Sequence, residues 1–219
     1  MKNIWVIIPG FNEARYLTKV LDKTIKFHQN IIFVDDGSSD NTASIALKKI
    51  KHVLIHDINL GKGAALKTGC DYAFSHLKAK AVILMDSDNQ HDPKEIKNFI
   101  KTLNQGYDVV LGVRIYTGTM PLVRFLGNKF SSVLINLLFG TYFSDIPSGY
   151  KALTKKAYSK INWSSQGYEV ETEIAVKIAR NKLKFKEIPI STIYHDHDKG
   201  FTLLDALRIL LKLPQWIKT

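Results

Sequence analysis

The sequence predicts an α/β protein whose central sheet is mostly parallel and flanked by helices, and three observations carry this prediction. Short apolar runs alternate with segments of helical periodicity along the first half of the chain. The runs are rich in β-branched and aliphatic residues, which is typical of strands buried on both faces. The chain has 219 residues, of which 45% are hydrophobic and 23% charged, so it is long enough and apolar enough to bury a substantial core.

The first half contains the clearest elements. Its five predicted strands are Ile4–Ile8, Ile31–Asp35, Val53–His56, Ala81–Met85 and Val109–Val113. Between the first two, apolar residues recur at helical spacing at Leu17, Val20, Leu21 and Ile25. Asp92 and Pro93 suit the N-cap and first turn of another helix, which Gly106 would end.

The composition shifts near Gly118 without a linker or repeat. We therefore expect one domain, 1–219, with halves of about 1–117 and 118–219. The second half is predicted to hold an apolar helix, a loop, a second helix, a strand and a basic amphipathic segment. These are Leu122–Phe139, Ser144–Lys151, Glu171–Ala179, a strand ending at Ile190, and a segment whose apolar face is Leu203, Leu207, Leu210 and Leu211. Leu122–Phe139 contains Arg124 and Lys129 and is not expected to span a membrane.

Charge and cysteine content restrict the function classes. Lys and Arg exceed Asp and Glu by 31 − 20 = +11, a surplus that attracts nucleic acid, anionic lipid or phosphorylated small molecules. A basic surface that serves only solubility is the alternative. The basic residues are scattered, without the aromatic interleaving of a nucleic-acid site. Cys70 is the only cysteine and is predicted to be a small buried filler, which favours a reducing, cytoplasmic setting.

Polar loops follow four of the predicted strands. They are Pro9–Glu13, Asp35–Asp40, Asp86–Gln90 and the loop around Arg114. Ligands of open α/β sheets collect at the carboxyl ends of the strands. Four such loops at one edge therefore predict a binding site there.

The loop after the fourth strand carries two carboxylates, Asp86 and Asp88, separated by one residue. Two anions this close are costly unless a cation joins them, and hard divalent cations prefer carboxylate and amide oxygens. Gln90 adds a neutral oxygen. A turn that prepares the helix after Asp92 explains the same residues equally well.

Two further loops are more ambiguous. Asp36 lies in an Asp-Asp-Gly-Ser segment that suits either an ordinary turn or a contact to a ribose hydroxyl or a base. Gly61-Lys62-Gly63 opens a predicted helix, where free backbone N–H groups and a lysine make an anion site plausible. The spacing is not that of a Walker P-loop.

Taken in order, the loops resemble glycosyltransferase family 2, and within it the polyprenyl-phosphate (dolichol-phosphate) mannosyl- and glucosyltransferases. The motifs that carry the resemblance are Val6-Ile7-Ile8-Pro9 with Asn12-Glu13, Val34-Asp35-Asp36-Gly37-Ser38 with Asp40 and Thr42, Asn59 with Gly61-Lys62-Gly63, Met85-Asp86-Ser87-Asp88 with Gln90-His91, and Ser148-Gly149-Tyr150-Lys151. The resemblance runs from about Ile4 to about Lys199. Its specificity lies in the ordered set of motifs.

The resemblance implies a GT-A fold, a nucleotide-diphosphate sugar donor of the GDP-mannose or UDP-glucose type, and inversion at the anomeric carbon. Carried over by position, the nucleotide-sugar site would comprise Pro9, Phe11, Glu13, Asp36, Asp86, Ser87 and Asp88. Asp88 and Gln90 would bind Mg²⁺ or Mn²⁺. Phe11 stands where many members have Tyr.

The resemblance also implies an acceptor side. Acceptor and phosphate contacts would come from Arg114, Arg124, Ser148, Gly149, Tyr150 and Lys151. The catalytic group would be Asp86, Asp88, Asp145 and Lys199, with Lys199 at the departing diphosphate. His195 falls near a position where the family often has arginine. His195 and His197 give a minority alternative of a second metal site.

The expected acceptor is a polyprenyl or dolichyl phosphate, reached by peripheral binding at the cytosolic membrane face through Leu122–Phe139 and the C-terminal segment. A membrane subunit or a homo-oligomer is compatible with this interpretation, and nucleic acid is not expected as a partner. Two alternatives stay open. One is a family 2 transferase with a glycan, protein or small-molecule hydroxyl as acceptor, for which Asp145 would serve as base. The other is an inactive membrane-docking or binding module on the same scaffold.

Overall fold

The computed structural model describes residues 3–115, 122–191, 212 and 214–216, with the backbone alone for 122–127. The strands are β1 (Ile4–Gly10), β2 (Ile31–Asp35), β3 (His52–Ile55), β4 (Ala81–Leu84), β5 (Val109–Arg114), β6 (Lys151–Thr154) and β7 (Phe185–Ile190). The helices are α1 (Ala14–Phe27), α2 (Thr42–Lys49), α3 (Lys62–Ser75), α4 (Ile96–Asn104), α5 (Leu122–Phe139), α6 (Lys155–Ile161) and α7 (Val170–Arg180). A 3₁₀ turn, Pro93–Glu95, precedes α4.

The described strands form one seven-stranded sheet in the order β3-β2-β1-β4-β6-β5-β7. All neighbouring pairs are parallel except those of β6, which runs antiparallel to both β4 and β5. The predicted mostly parallel α/β sheet is confirmed. Because β6 is reversed, its first residue, Lys151, pairs with Leu84 and Leu111 and lies toward the edge where β4 and β5 end.

Apolar side chains cover both faces of the sheet. Ile7 and Val34 face one core layer with Leu66 and Cys70 of α3, and the opposite face packs against α1 and α4. Every residue of β2 and β4 is buried, as the short β-branched runs predicted. Cys70 is fully buried, as predicted, and burial raises the pKa of its thiol.

The predicted signals at the ends of α4 are present. The Asp92 carboxylate accepts a hydrogen bond from the Lys94 backbone N–H at 3.0 Å, and Pro93 occupies the first turn. Gly106 follows the helix with φ of +85°, a conformation that favours glycine. Since this cap fixes where α4 begins, it also fixes the end of the loop that carries Asp86 and Asp88.

The second half joins the same sheet through β6 and β7. Helix α5 is amphipathic: Asn128, Ser132 and Ile135 are buried, whereas Phe130 and Leu137 are exposed. No helix among residues 3–115 and 122–191 is long and apolar enough to cross a membrane.

The described C-terminal residues pack on α7. Trp216 is buried, and its carbonyl accepts a hydrogen bond from Arg180 Nη1 at 3.1 Å. Lys212 Nζ lies 2.5 Å from Glu169 Oε1. The leucines of the predicted C-terminal apolar face lie outside the described residues.

Candidate functional site

The loop after β4 is both a turn and a cluster of carboxylates. The Gln90 N–H donates to Asp88 Oδ1 at 2.9 Å, and Asn89 takes a φ of +61°. The Asp86 N–H donates to His91 Nδ1 at 3.1 Å. The two interpretations of this loop therefore do not compete, because the turn is what holds both carboxylates at the carboxyl end of β4.

Asp86 is held by a lysine and by a close backbone approach. Lys62 Nζ lies 2.7 Å from Asp86 Oδ1. A Cβ added at Gly149 would lie 2.8 Å from Asp86 Cγ, so the backbone of the Ser148–Lys151 segment rests directly on this carboxylate. Burial alone would raise the pKa of Asp86, but Lys62 outweighs it and lowers that pKa to about 2.

The pKa of Asp88 is shifted in the opposite direction from that of Asp86. Burial, followed by the neighbouring Asp86 carboxylate, raises the pKa of Asp88 to about 6. A half-buried carboxylate with a raised pKa beside a second anion is a group that a cation would stabilise. The described residues contain no group of three or more His, Cys, Asp or Glu side chains able to hold a metal ion by themselves. A metal at Asp88 and Gln90 thus fits the case in which a diphosphate supplies the other oxygens.

His91 supports the loop from beneath. Its ring stacks on Tyr150 with centroids 4.7 Å apart, and Tyr150 stacks in turn on Phe99 at 4.5 Å. Burial lowers the pKa of His91 to about 4, so the ring is neutral at pH 7 and its Nδ1 accepts the Asp86 N–H. The sequence showed His91 only as part of the motif and did not reveal this role.

Asp36, which was predicted to contact a base or ribose, holds the loop between β3 and α3 in place. Its carboxylate accepts hydrogen bonds from the Leu60 N–H at 3.0 Å and the Gly61 N–H at 2.8 Å, and His56 Nδ1 lies 2.7 Å away. Asp35 beside it accepts the Ser38 N–H, while its Oδ1 is buried and has no hydrogen-bond partner among the described residues. A direct nucleoside contact by Asp36 stays a prediction.

The loop after β1 is tied to the loop after β2. Asn12 Oδ1 accepts the Ser39 N–H at 2.9 Å, and the Glu13 N–H donates to Thr42 Oγ1 at 2.8 Å. Phe11 is 44% exposed at this edge, and its stacking on a base stays a prediction. Pro9 is buried within β1, and Ser87 is buried within the loop that carries Asp86 and Asp88.

The Gly61-Lys62-Gly63 turn, which made an anion site plausible, has N–H groups bonded within the chain, and an anion site there stays a prediction. The N–H groups of Gly63 and Ala64 both donate to the Gln166 carbonyl, at 2.5 and 3.2 Å, so the start of α3 is capped by the chain itself. Lys62 is paired with carboxylates, since Glu171 Oε1 lies 3.0 Å from its Nζ in addition to Asp86.

On the acceptor side, Arg114 and Asp145 form a bidentate pair. Arg114 Nε and Nη2 donate to the two Asp145 oxygens at 2.8 and 2.7 Å, and the Arg114 N–H adds a third bond at 3.0 Å. Asn128 Nδ2 also donates to Asp145, at 3.2 Å. The Asp145 carboxylate therefore already accepts four hydrogen bonds. This arrangement suits a residue that positions Arg114, and suits a catalytic base less well. The catalytic role expected for Asp145 stays untested.

The Ser148–Lys151 segment lies where β6 begins, beside Asp86. Tyr150 and Lys151 are buried; Lys151 Nζ contacts Glu171 Oε2 and the Ser148 carbonyl. The Ser148 hydroxyl is buried and has no hydrogen-bond partner among the described residues. Lys199, His195, His197 and the Arg124 side chain lie outside the described residues.

With this geometry in place, comparison with known proteins is informative. The family model "Glycosyl transferase family 2" matches residues 5–162. An uncharacterized protein of Methanocaldococcus jannaschii is 38% identical over 96% of this chain and 90% of its own length. A UDP-N-acetylglucosamine–dolichyl-phosphate N-acetylglucosaminyltransferase of Methanococcus voltae is 31% identical over 97% of this chain and 95% of its own.

The fold also matches solved structures. Glucosyl-3-phosphoglycerate synthase of Mycobacterium tuberculosis, in complex with Mn²⁺, uridine-diphosphate and glucosyl-3-phosphoglycerate, superposes with a TM-score of 0.76. The match covers 99% of this chain and 80% of that one at 18% identity, which shows a shared GT-A fold. The family match over most of the chain and the similarity to full-length relatives identify the chain as a glycosyltransferase of family 2.

Proposed function

We propose that this glycosyltransferase moves a hexose from a nucleotide-diphosphate sugar, with a divalent cation, to a polyprenyl or dolichyl phosphate. The observation that carries the proposal is that Asp145 and Glu171, the carboxylates on the acceptor side of Asp86, are both paired with cations or hydrogen-bond donors. Asp145 is saturated by Arg114 and Asn128, and Glu171 lies between two lysine ammonium groups. In this proposal neither carboxylate serves as a proton acceptor.

This electrostatic arrangement suits an acceptor that is already an anion. A hydroxyl acceptor must lose its proton and needs a positioned base. A phosphate monoester is ionised at neutral pH and needs none. The M. voltae relative is named for transfer to dolichyl phosphate, which supports the same acceptor class here.

The donor side supports a nucleoside diphosphate held with a metal. Asp88 and Gln90 would hold Mg²⁺ or Mn²⁺, and the bound cation would neutralise charge growing on the departing diphosphate. In this proposal Asp86, fixed by Lys62, accepts hydrogen bonds from hydroxyl groups of the donor. In the displacement, an acceptor phosphate oxygen bonds to the anomeric carbon as the bond to the diphosphate oxygen breaks. No proton needs to move.

Docking at the cytosolic face of a membrane completes the proposal. The exposed side of α5 presents Phe130, Val133 and Leu137, and Lys129 lies beside them on the same helix. An apolar stripe with a neighbouring cation on a chain of net charge +11 suits an anionic bilayer surface. Neither a membrane subunit nor a homo-oligomer is needed by this arrangement.

Vesicle co-sedimentation tests the docking surface. Leu137→Glu places a charge in the stripe and is expected to lower the partition coefficient for phosphatidylglycerol-containing vesicles by at least about tenfold, because a buried leucine contributes roughly 1.5–3 kcal/mol. Leu47→Glu, at an exposed leucine on α2, is the matched control. Equal binding of Leu137→Glu and wild type would contradict the docking proposal while leaving the transfer reaction intact.

The acceptor is tested by a panel of nucleotide sugars assayed with Mn²⁺ and either a polyprenyl phosphate or the corresponding polyprenol. Turnover that requires the phosphate supports the proposal. Transfer to polyprenol, sugars or peptides, with the phosphate inert, would favour the hydroxyl-acceptor alternative. No turnover of any donor would favour an inactive binding module.

A further inference from the structure

We infer that Lys62 is a positioning residue for the donor site: it fixes the Asp86 carboxylate and joins it through Glu171 to Lys151, at the end of the Ser148–Lys151 segment. The inference rests on the proposed function, because it assumes that Asp86 faces the donor. It assigns Lys62 a task different from binding a phosphate.

The geometry is a continuous chain of alternating charges, in which Lys62 and Asp86 are half-buried and Glu171 and Lys151 are buried. Lys62 Nζ lies 2.7 Å from Asp86 Oδ1 and 3.0 Å from Glu171 Oε1. The other oxygen of Glu171 contacts Lys151 Nζ, which also bonds to the Ile146 carbonyl at 3.3 Å. The four side chains come from α3, the loop after β4, α7 and β6. One ionic unit therefore connects elements that are far apart in sequence.

The surrounding backbone leaves Lys62 little freedom to point elsewhere. Gly61, at φ of +97°, and Gly63 pack against the backbone of Ser165 and Gln166, which fixes the first turn of α3. The Tyr168 ring lies over the ammonium group, 5.7 Å from Nζ. Burial opposes the charge, but Asp86 and Glu171 outweigh it and raise the pKa of Lys62 above its usual range. Lys62 therefore carries its charge at neutral pH.

The position of Asp86 is therefore set from two sides. The Gly149 backbone of the Ser148–Lys151 segment contacts the Asp86 carboxylate on one side, and Lys62 of α3 forms an ion pair with it on the other. Without Lys62, the half-buried Asp86 carboxylate would lose its only ion pair closer than 4.0 Å among the described residues. A donor contact made by a displaced Asp86 would be weaker.

A double-mutant cycle on nucleotide affinity tests whether Lys62 acts through Asp86. UDP and GDP are titrated with Mn²⁺ by calorimetry into wild type, Lys62→Met, Asp86→Asn and the double variant. Lys62→Met is expected to weaken binding by about tenfold, the size of one charge-assisted contact. In the Asp86→Asn background the same substitution is expected to change affinity by less than about twofold. Lys67→Met, on the same helix and paired with Asn162, is the control and keeps wild-type affinity.

Each result decides the inference. Losses that multiply in the double variant would show that Lys62 acts independently of Asp86, and would overturn it. If Lys62→Met does not fold, Lys62→Gln enters the same cycle with the same criterion. Lys62→Arg, which keeps the charge, is expected to recover part of the affinity. Absence of nucleotide binding by wild type would instead overturn the proposed function, and the inference with it.

Discussion

Replacing Gly149 with alanine tests the role of Asp86, because the added methyl group must displace the Asp86 carboxylate. The added Cβ would lie 2.8 Å from Asp86 Cγ, whereas carbon atoms in contact are usually about 3.5–4.0 Å apart. Asp86 must therefore move by about 1 Å, the difference between these distances. The obstacle is the end of a side chain rather than backbone, so we expect the fold to survive and the site to lose its geometry.

The expected cost falls on catalysis. A misplacement of about 1 Å in a reacting site lowers rates by about 10²-fold, and we expect this loss in kcat/KM for the nucleotide sugar. The assay is steady-state release of nucleoside diphosphate with Mn²⁺ and polyprenyl phosphate, with thermal melting in parallel. Gly106→Ala is the control, since a Cβ there meets nothing within 4 Å, although its φ of +85° makes it slightly destabilising. A Gly149→Ala variant with kcat/KM within about twofold of wild type would refute the assignment of Asp86 to the donor site.

Three further predictions follow from the same contacts. Asp88→Asn is expected to abolish turnover and remove the Mn²⁺ dependence of nucleotide binding in calorimetry, whereas the exposed Asp22→Asn changes neither; unchanged Mn²⁺-dependent affinity would rule out the metal role. Arg114→Lys cannot reproduce the two parallel bonds to Asp145, so we expect the acceptor KM to rise about tenfold with the donor KM unaltered; equal rises in both would point to a general structural defect. Glu173 is fully buried and its pKa is lowered because hydrogen bonds from Ser165 and Ser164 and the pair with Lys177 outweigh burial. Glu173→Gln should therefore destabilise the fold by about 1–3 kcal/mol at pH 7. A lowered pKa in the folded state places this stabilisation above pH 4.5, the ordinary value, so the difference in Tm from wild type should shrink as the pH falls below it; a constant difference would contradict this.

Short apolar runs predicted most of the sheet because strands that are buried on both faces must consist of apolar residues. The predicted strands at Ile31–Asp35 and Val109–Val113 match β2 and β5 to within one residue. Strand β6 was not predicted. It has only four residues, begins with a lysine, and owes its burial to β4 and β5 on either side. Such a strand is specified by its neighbours rather than by its own pattern.

The sequence predicted where the site lies, but not the ion pairs and hydrogen bonds that hold its residues in place. Polar loops at strand ends indicated where Asp86 and Asp88 would meet, since parallel strands bring their carboxyl ends together. The pairing of Lys62 with Asp86 and Glu171 was not visible, because it depends on how α3 and α7 pack. The Gln166 carbonyl that caps α3 comes from a loop about a hundred residues later. Local sequence carries no signal for such contacts.

The transfer of a sugar to a phosphate oxygen is tested most directly by ³¹P NMR of the acceptor during the reaction. Wild-type protein, Mn²⁺, a nucleotide sugar that it turns over and a short-chain polyprenyl phosphate are followed in one sample. We predict that the phosphomonoester resonance of the acceptor is replaced by a phosphodiester resonance, in step with the appearance of nucleoside diphosphate. Release of nucleoside diphosphate while the acceptor remains a phosphomonoester would contradict the account, because the sugar would then have gone to a hydroxyl group or to water.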